Sequence, residues 1–422
     1  MHSFTEPCFL GPVAFASPRQ WNKIVAATTL LLQDNNNQPF GSSRLRVELA
    51  TSAETLPDHW PASLDRGSAA CHPFQCADIL AVWCNTIGRA RGIKPLFVSL
   101  LGPSRQPLML LPLGIREQFG LKILRFLDGG VSDYNAPVVF PGAAALGAAP
   151  AIWSEIAGHL PPFDLAILEK MPEQVGNLTN PLFSLATEDH HESCHAVALY
   201  GPWEKFVRDR ISNAADSRRR RRKLEKLGTV RIAIAQSADE REFFLSAMMR
   251  MKRRKYIDTK GYDVFDTPGT EDYYREATHA LGESGPAQLS ALILDGRILA
   301  AHWGYVAGDR FYHLMPAHEG REWRAYAPGR LLNEWLMQWC TERGLKYLDF
   351  GIGDETYKFD YCDLHIPLRD AFFPVTLMGR LYAVAQKLET AAKIFVRDTR
   401  LSPALMATRK RWHNPSGSPQ IE

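Results

Sequence analysis

The chain has 422 residues, 45% of them hydrophobic and 23% charged, and Lys+Arg 49 against Asp+Glu 46 leaves a formal net charge of +3. That length calls for two or three domains rather than one core, and the composition is that of a soluble globular protein. The near-balanced charge argues against a dedicated nucleic-acid binder while leaving room for local basic patches. No apolar run approaches the ~18 residues that span a bilayer, and Met1-His2-Ser3-Phe4-Thr5-Glu6-Pro7 opens no secretory signal. The seven cysteines are an odd, scattered set and read as reduced thiols. A cytoplasmic enzyme or binding protein is the expectation.

Residues 1–43 read as a poorly ordered leader, interrupted by the polar run Gln33 to Pro39. A first domain is expected over 44–190. It opens on the alternating strand Arg44–Leu49 and a helix over Cys76–Arg91, where Ile79, Leu80, Trp83 and Ile87 recur at helical spacing. Two strands, Leu96–Leu101 and Leu108–Leu113, flank a Gly-Pro turn, with Pro112 suggesting an edge position or a bulge. A strand at 121–127, a helix at 149–159 and a buried strand at 164–168 complete it.

The polar stretch Glu188–His195 marks the boundary to a second domain, 191–380. Here the pattern gives a strand at 196–200, helices from Pro202 and through the basic run to Leu227, a strand at 230–234, and helices at 238–256 and 271–281. The clearest local signal follows: Gln288–Leu294 and Arg297–Val306 flank Asp295-Gly296, a two-residue hairpin signature. A third strand at 310–314, a helix from Pro328 to Arg343 ended by Gly344, and a strand at 346–350 lead into Gly351-Ile352-Gly353-Asp354-Glu355-Thr356-Tyr357-Lys358. Residues 381–422 read as a C-terminal helix and a disordered tail. The two halves share one rhythm of elements, consistent with a duplicated α/β unit.

Three constellations carry possible chemistry. The acidic, phenolic and amine groups after Leu348 gather at the exit of a buried strand, where α/β proteins place ligands. Tyr326-Ala327-Pro328-Gly329-Arg330 exposes free N–H groups at a helix start, which favours phosphates. The run Arg218–Lys223 concentrates positive charge that a phosphate-rich ligand would relieve. Neither His190, His191, Cys194 and His195 nor Cys71, His72 and Cys76 has paired-ligand spacing, so no metal is expected.

In their fixed order, the hairpin, third strand, Pro-Gly helix start and strand-to-Gly-Asp-Glu exit resemble the Gcn5-related N-acetyltransferase (GNAT) superfamily. More narrowly they are similar to its bacterial CelD branch, which has tandem GNAT folds and is related to the FemAB peptidyltransferases. The basic helix before Gly228, and Ser132-Asp133-Tyr134 followed by Pro137, also fit that branch. The resemblance implies an α/β protein of two tandem GNAT-like domains, each a mixed, mostly antiparallel sheet flanked by helices. It implies acetyl-CoA or another acyl-CoA as co-substrate, with the pantetheine arm along His302 to Val306, hence Trp303, Gly304 and Tyr305. Its phosphates would lie above Ala327, Gly329 and Arg330 where Pro328 opens the helix, with Arg222 of the basic run assisting.

Acyl transfer of this kind needs a base, oxyanion stabilisation and a proton for the leaving thiolate. In that scheme Asp349 or Glu355 is the base or positions the acceptor, Tyr357 donates to the thiolate, Lys358 stabilises charge, and His302 is a second candidate base. The acceptor would be an amine or hydroxyl, such as a sugar or exopolysaccharide precursor, attacked directly in a ternary complex. A FemAB-like transferase using aminoacyl-tRNA is the alternative that makes RNA a partner, and a non-catalytic GNAT-fold binding or scaffold protein is the third reading.

Overall fold

The computed structural model describes residues 45–211, 213–260 and 262–398; the leader expected over 1–43 and the tail expected beyond 398 lie outside the described residues. In the first half, β1 (Arg46–Ala50) is followed by α1 (Ala77–Trp83), which continues as a π turn over Cys84–Gly88. Next come β2 (Lys94–Leu101), β3 (Pro107–Gln118), β4 (Leu121–Phe126), β5 (Val138–Val139), α2 (Ala149–His159) and β6 (Leu165–Pro172). The short strands β7 (Gln174–Val175), β8 (Leu178–Thr179) and β9 (Glu188–Asp189) follow.

The second half runs through β10 (Cys194–Ala198), α3 (Trp203–Arg210), α4 (Ala214–Glu225), β11 (Val230–Ile234), α5 (Ala238–Lys260) and α6 (Thr270–Leu281). Then come β12 (Ala287–Leu294), β13 (Arg297–Ala307), β14 (Arg310–His318), α7 (Pro328–Glu342) and β15 (Tyr347–Ile352). The last elements are α8 (Thr356–Phe359), β16 (Leu364–Ile366), β17 (Leu368–Pro374) and α9 (Leu377–Asp398).

Among the described residues two large sheets form, with strand orders β1-β2-β3-β4-β6-β17-β9 and β11-β12-β13-β14-β15-β10-β16. Pairing is antiparallel except for one parallel neighbour pair in each, β4 with β6 and β14 with β15. The two orders superpose position by position, so the shared rhythm of the halves is a structural repeat, and the architecture is that of two tandem GNAT-like folds. Local chemistry explains the best-defined turn: Asp295 (φ 44°) and Gly296 (φ 81°) both take left-handed backbone, as a type I′ hairpin requires.

Pro112, expected at an edge or a bulge, lies instead on the interior strand β3. It sits where β3 changes partner, from β5 at Met109 and Leu110 to β4 from Leu113 onward. The span 191–380 expected for a second domain contains β17, which hydrogen-bonds to β6 and β9 of the first sheet. Conversely β10, which directly follows the first repeat, pairs with β15 and β16 of the second sheet. The chain thus crosses between sheets after each parallel pair, and each repeat supplies a strand to its sister.

The largest buried cluster also spans both repeats, joining Phe74, Trp83 and Tyr134 to Phe244, Trp303 and Tyr305. A polar seam runs beside it: His72 stacks on Tyr134 at 4.2 Å, and its Nδ1 lies 3.3 Å from the Tyr312 hydroxyl. Because neither sheet is complete without the other half, urea is expected to unfold the protein in one transition, coincident by fluorescence and far-UV circular dichroism. Two separated transitions would contradict the exchange of strands as a stabilising feature.

Candidate active site

The candidate site lies at the ends of the parallel strands of the second sheet. β14 and β15 hydrogen-bond only over Arg310–Tyr312 and Tyr347–Asp349. Beyond that point the edge of β14 from His313 to His318 no longer pairs with β15. α7 starts against the end of β14: a Cβ on Gly329 would stand 2.9 Å from the His318 ring. Its first turn has no side-chain cap, Ala327 takes left-handed backbone (φ 48°), and Pro328 occupies the first turn. The helix therefore directs uncapped N–H groups and the positive end of its dipole toward the mouth of the parted strands.

The basic helix α4 braces this start. Ser217 Oγ donates to Glu334 Oε1 at 2.7 Å, Arg330 Nε donates to the same oxygen at 3.0 Å, and Arg220 Nη1 donates to the Ala325 carbonyl at 2.6 Å. Burial pulls the Arg330 guanidinium down, but its bond to Glu334 holds it above its usual range. Much of the basic run is neutralised locally: Arg219 and Arg220 pair with Asp216, and Arg221 with Glu225. Arg222, expected at the phosphates, is exposed on α4. The arginine that reaches the helix start is Arg220, two places earlier on the run, where the spacing Asp216–Arg220 (i, i+4) holds it.

The strand exit gathers most of the carboxyl, phenol and amine groups expected there. Asp349 is fully buried and accepts from Tyr134 Oη at 2.8 Å, Arg310 Nη1 at 2.6 Å and the Gly351 N–H at 2.8 Å. Burial alone would pull Arg310 down, yet Asp349 holds its guanidinium above the usual range. With three donors, Asp349 anchors the repeats to each other and has no accessible face for an acceptor. The Lys358 ammonium is also buried; it donates to the carbonyls of Gly351 (3.1 Å) and Ile352 (2.7 Å) and pairs with Glu355 Oε2 at 3.0 Å. It fixes the shape of the exit, while Glu355 is mostly exposed. Tyr357 is half-buried beside the Phe350 ring, and burial, then Glu355, push its phenol above the usual range, so it stays protonated.

His302 is corrected as a candidate base. It is buried in β13 and stacked on His313 at 4.0 Å, with neither ring nitrogen hydrogen-bonded. Burial drives it well below its usual range and drives His313 down to about 3. The arm expected along His302–Val306 meets the same obstacle. β13 is paired on both edges, with β12 and with β14, and Trp303 and Tyr305 are buried with their polar atoms bound to Thr278 and Tyr273. Gly304 sits opposite Gln288 and His313 in these ladders. The unpaired edge belongs one strand further on, to β14.

One group central to the site comes from the first repeat. Asp133 is half-buried, and its Oδ2 would stand 2.0 Å from any Cβ added at Gly351, whose φ of 68° itself excludes most side chains. Burial, reinforced by Asp349, pushes the Asp133 carboxyl up to about 7, against the pull of Lys170, Lys358 and the Ile352 N–H. Its loop is pinned by Asp128, which accepts from Gly130 N and Asn135 Nδ2 and pairs with Lys170 at 2.8 Å. In the sequence only the string Ser132-Asp133-Tyr134 hints at it. In the first of the two groups weighed as metal ligands, His190 Nδ1 lies 2.9 Å from Asp370 Oδ1 and His195 Nε2 lies 2.8 Å from Asp354 Oδ1.

Residues 212–359 match the family model described as an acetyltransferase (GNAT) domain. The match falls within the second repeat, from α4 to α8. Among solved structures, FemX is similar at 14% identity over 72% of this chain and 92% of its own, with a TM-score of 0.48. The C-terminal domain of a putative lysylphosphatidylglycerol synthetase from Agrobacterium fabrum is similar at 12% identity over 74% and 91%, with a TM-score of 0.46. A tandem GNAT protein from the clavulanic acid biosynthesis pathway is similar at 10% identity over 78% and 99%, with a TM-score of 0.43. Curated proteins gave no match.

Removing the Asp349 carboxylate leaves the buried Tyr134 hydroxyl and the partly buried Arg310 guanidinium without their shared acceptor. Asp349→Ala is expected to lower the unfolding free energy by about 3–5 kcal/mol in urea titration, and a loss under about 1 kcal/mol would contradict the anchoring role.

Proposed function

We propose that the protein is an acyltransferase that carries an acyl group from acyl-CoA to an amine or hydroxyl acceptor, by direct attack in a ternary complex. The observation that carries this reading is Asp133, a carboxyl set near 7 by its surroundings and facing the exit of β15. A group titrating there is ionised enough to take a proton yet basic enough to do so usefully at neutral pH. The acceptor nitrogen or oxygen adds to the thioester carbonyl carbon and gives its proton to the Asp133 carboxylate. The carbonyl oxygen gathers the negative charge, the C–S bond then breaks, and the protonated Tyr357 phenol gives a hydrogen bond to the departing thiolate, which leaves as the anion or takes its proton from solvent.

In this reading the pantetheine arm lies along the unpaired edge of β14, and its phosphates meet the N–H groups of Gly329 and Arg330 at the start of α7. Lys358 and Glu355 keep the strand exit in shape, with the exposed Glu355 turned toward the acceptor. A sugar or exopolysaccharide precursor is the acceptor class we favour. The alternative donor, an aminoacyl-RNA, draws on Arg218, Arg222 and Lys223, which remain exposed along α4. It requires binding that weakens steeply with salt.

With acetyl-CoA as donor, kcat/KM is expected to rise with pH through about 7 and then level. Asp133→Asn should lose on the order of 10²–10⁴ in kcat and the pH limb together. The same variant separates catalysis from folding. Because the folded carboxyl titrates near 7 rather than at 3.8, protonated Asp133 stabilises the fold at low pH, and that stability is lost as pH rises from about 4 through 7. Asp133→Asn should therefore flatten this part of the stability profile and be no less stable than the wild type at pH 8. Full activity with an unchanged pH profile in Asp133→Asn would overturn the assignment.

A further inference from the structure

We infer that α9 is a self-association surface, whose occupant is the same helix of a second copy of this chain. The helix runs from Leu377 to Asp398 and lies on the first sheet through Ala383, which packs with Leu121, Ile123, Leu165 and Ile167. Its other side carries Leu377, Leu381, Val384 and Leu388, spaced 4, 3 and 4 residues apart. That is the narrow seam of a helix that packs against one other helix, not the broad face of one lying on a flat surface. All four are exposed, from 56% at Val384 to 72% at Leu377.

The patch extends past the seam. Met378 (57%) and Val375 (62%) flank its start, and Phe119 (84%), on the β3–β4 turn, reaches the Tyr382 ring of α9 at 6.4 Å. Together these side chains expose on the order of 900 Å² in one place, above the ~300–600 Å² of the largest patch on a typical monomer. It also matches the ~800 Å² that each partner buries in a stable interface. A single apolar seam on one helix is self-complementary about a twofold axis, so two copies cover both patches at once.

The test is sedimentation velocity of the full chain over a micromolar concentration series, alongside the double variant Leu381→Glu/Leu388→Glu. Both residues are exposed, so circular dichroism and thermal melting should show the variant folded. The wild type is expected to sediment as a dimer and the variant as a monomer. Val384→Cys, under mild oxidation, is expected to form a disulfide-linked dimer faster than the wild type does. A wild type that stays monomeric throughout overturns the inference, as does a dimer indifferent to the double variant. So does a monomer that instead pellets with vesicles of anionic phospholipid.

Discussion

A buried carboxylate cannot persist without donors around it, and Asp349 finds them on three different parts of the chain. Tyr134 comes from the first repeat, Arg310 from the neighbouring strand β14, and the third donor is the N–H of Gly351, two residues on. Desolvating such a charge is strongly unfavourable unless all three are in place, so the site geometry exists only in the docked arrangement. The exchange of β10 and β17 enforces that docking through backbone hydrogen bonds. Packing of Phe74 and Trp83 with Trp303 and Tyr305 adds the apolar contribution.

This constraint also explains why the loop carrying Asp133 reaches the strand exit. Tyr134 is fixed by Asp349 on one side and by the His72 stack on the other, so its neighbour Asp133 is held against Gly351. Lys170 and Lys358 approach the same carboxyl from the two repeats, and their pull limits how far burial raises it. A single GNAT-like unit has the parted strands and the helix start but lacks this carboxyl. In the proposed reading, one unit would supply the donor site and the other the proton acceptor, which is a physical reason for the pair to work as one body.

Elements governed by local chemistry were legible in the sequence. The Asp295-Gly296 hairpin, the helix opened by Pro328 and the helix over 149–159 need only backbone preference and apolar spacing, and they stand where the pattern puts them. What depends on partners far along the chain was not. Nothing within 368–374 says that β17 belongs to the first sheet, because a strand's period identifies its faces but not its neighbours. For the same reason the cofactor arm was expected on β13 when the unpaired edge is on β14, and His302 was expected to act where burial has silenced it. Arg222 and Arg220 are indistinguishable in a run of five arginines; only the carbonyl of Ala325 separates them. Asp133 is set apart by its environment, which pushes its carboxyl up, and not by its sequence context.

The central claim is that acyl-CoA enters between the parted ends of β14 and β15, beneath the start of α7 and beside a loop from the other repeat. Amide hydrogen exchange of the full chain with and without acetyl-CoA tests it most directly. Slowed exchange is expected in residues 313–318, 327–332 and 350–353, accompanied by 131–135. No change in these segments, or protection confined to β12 and β13, would contradict it.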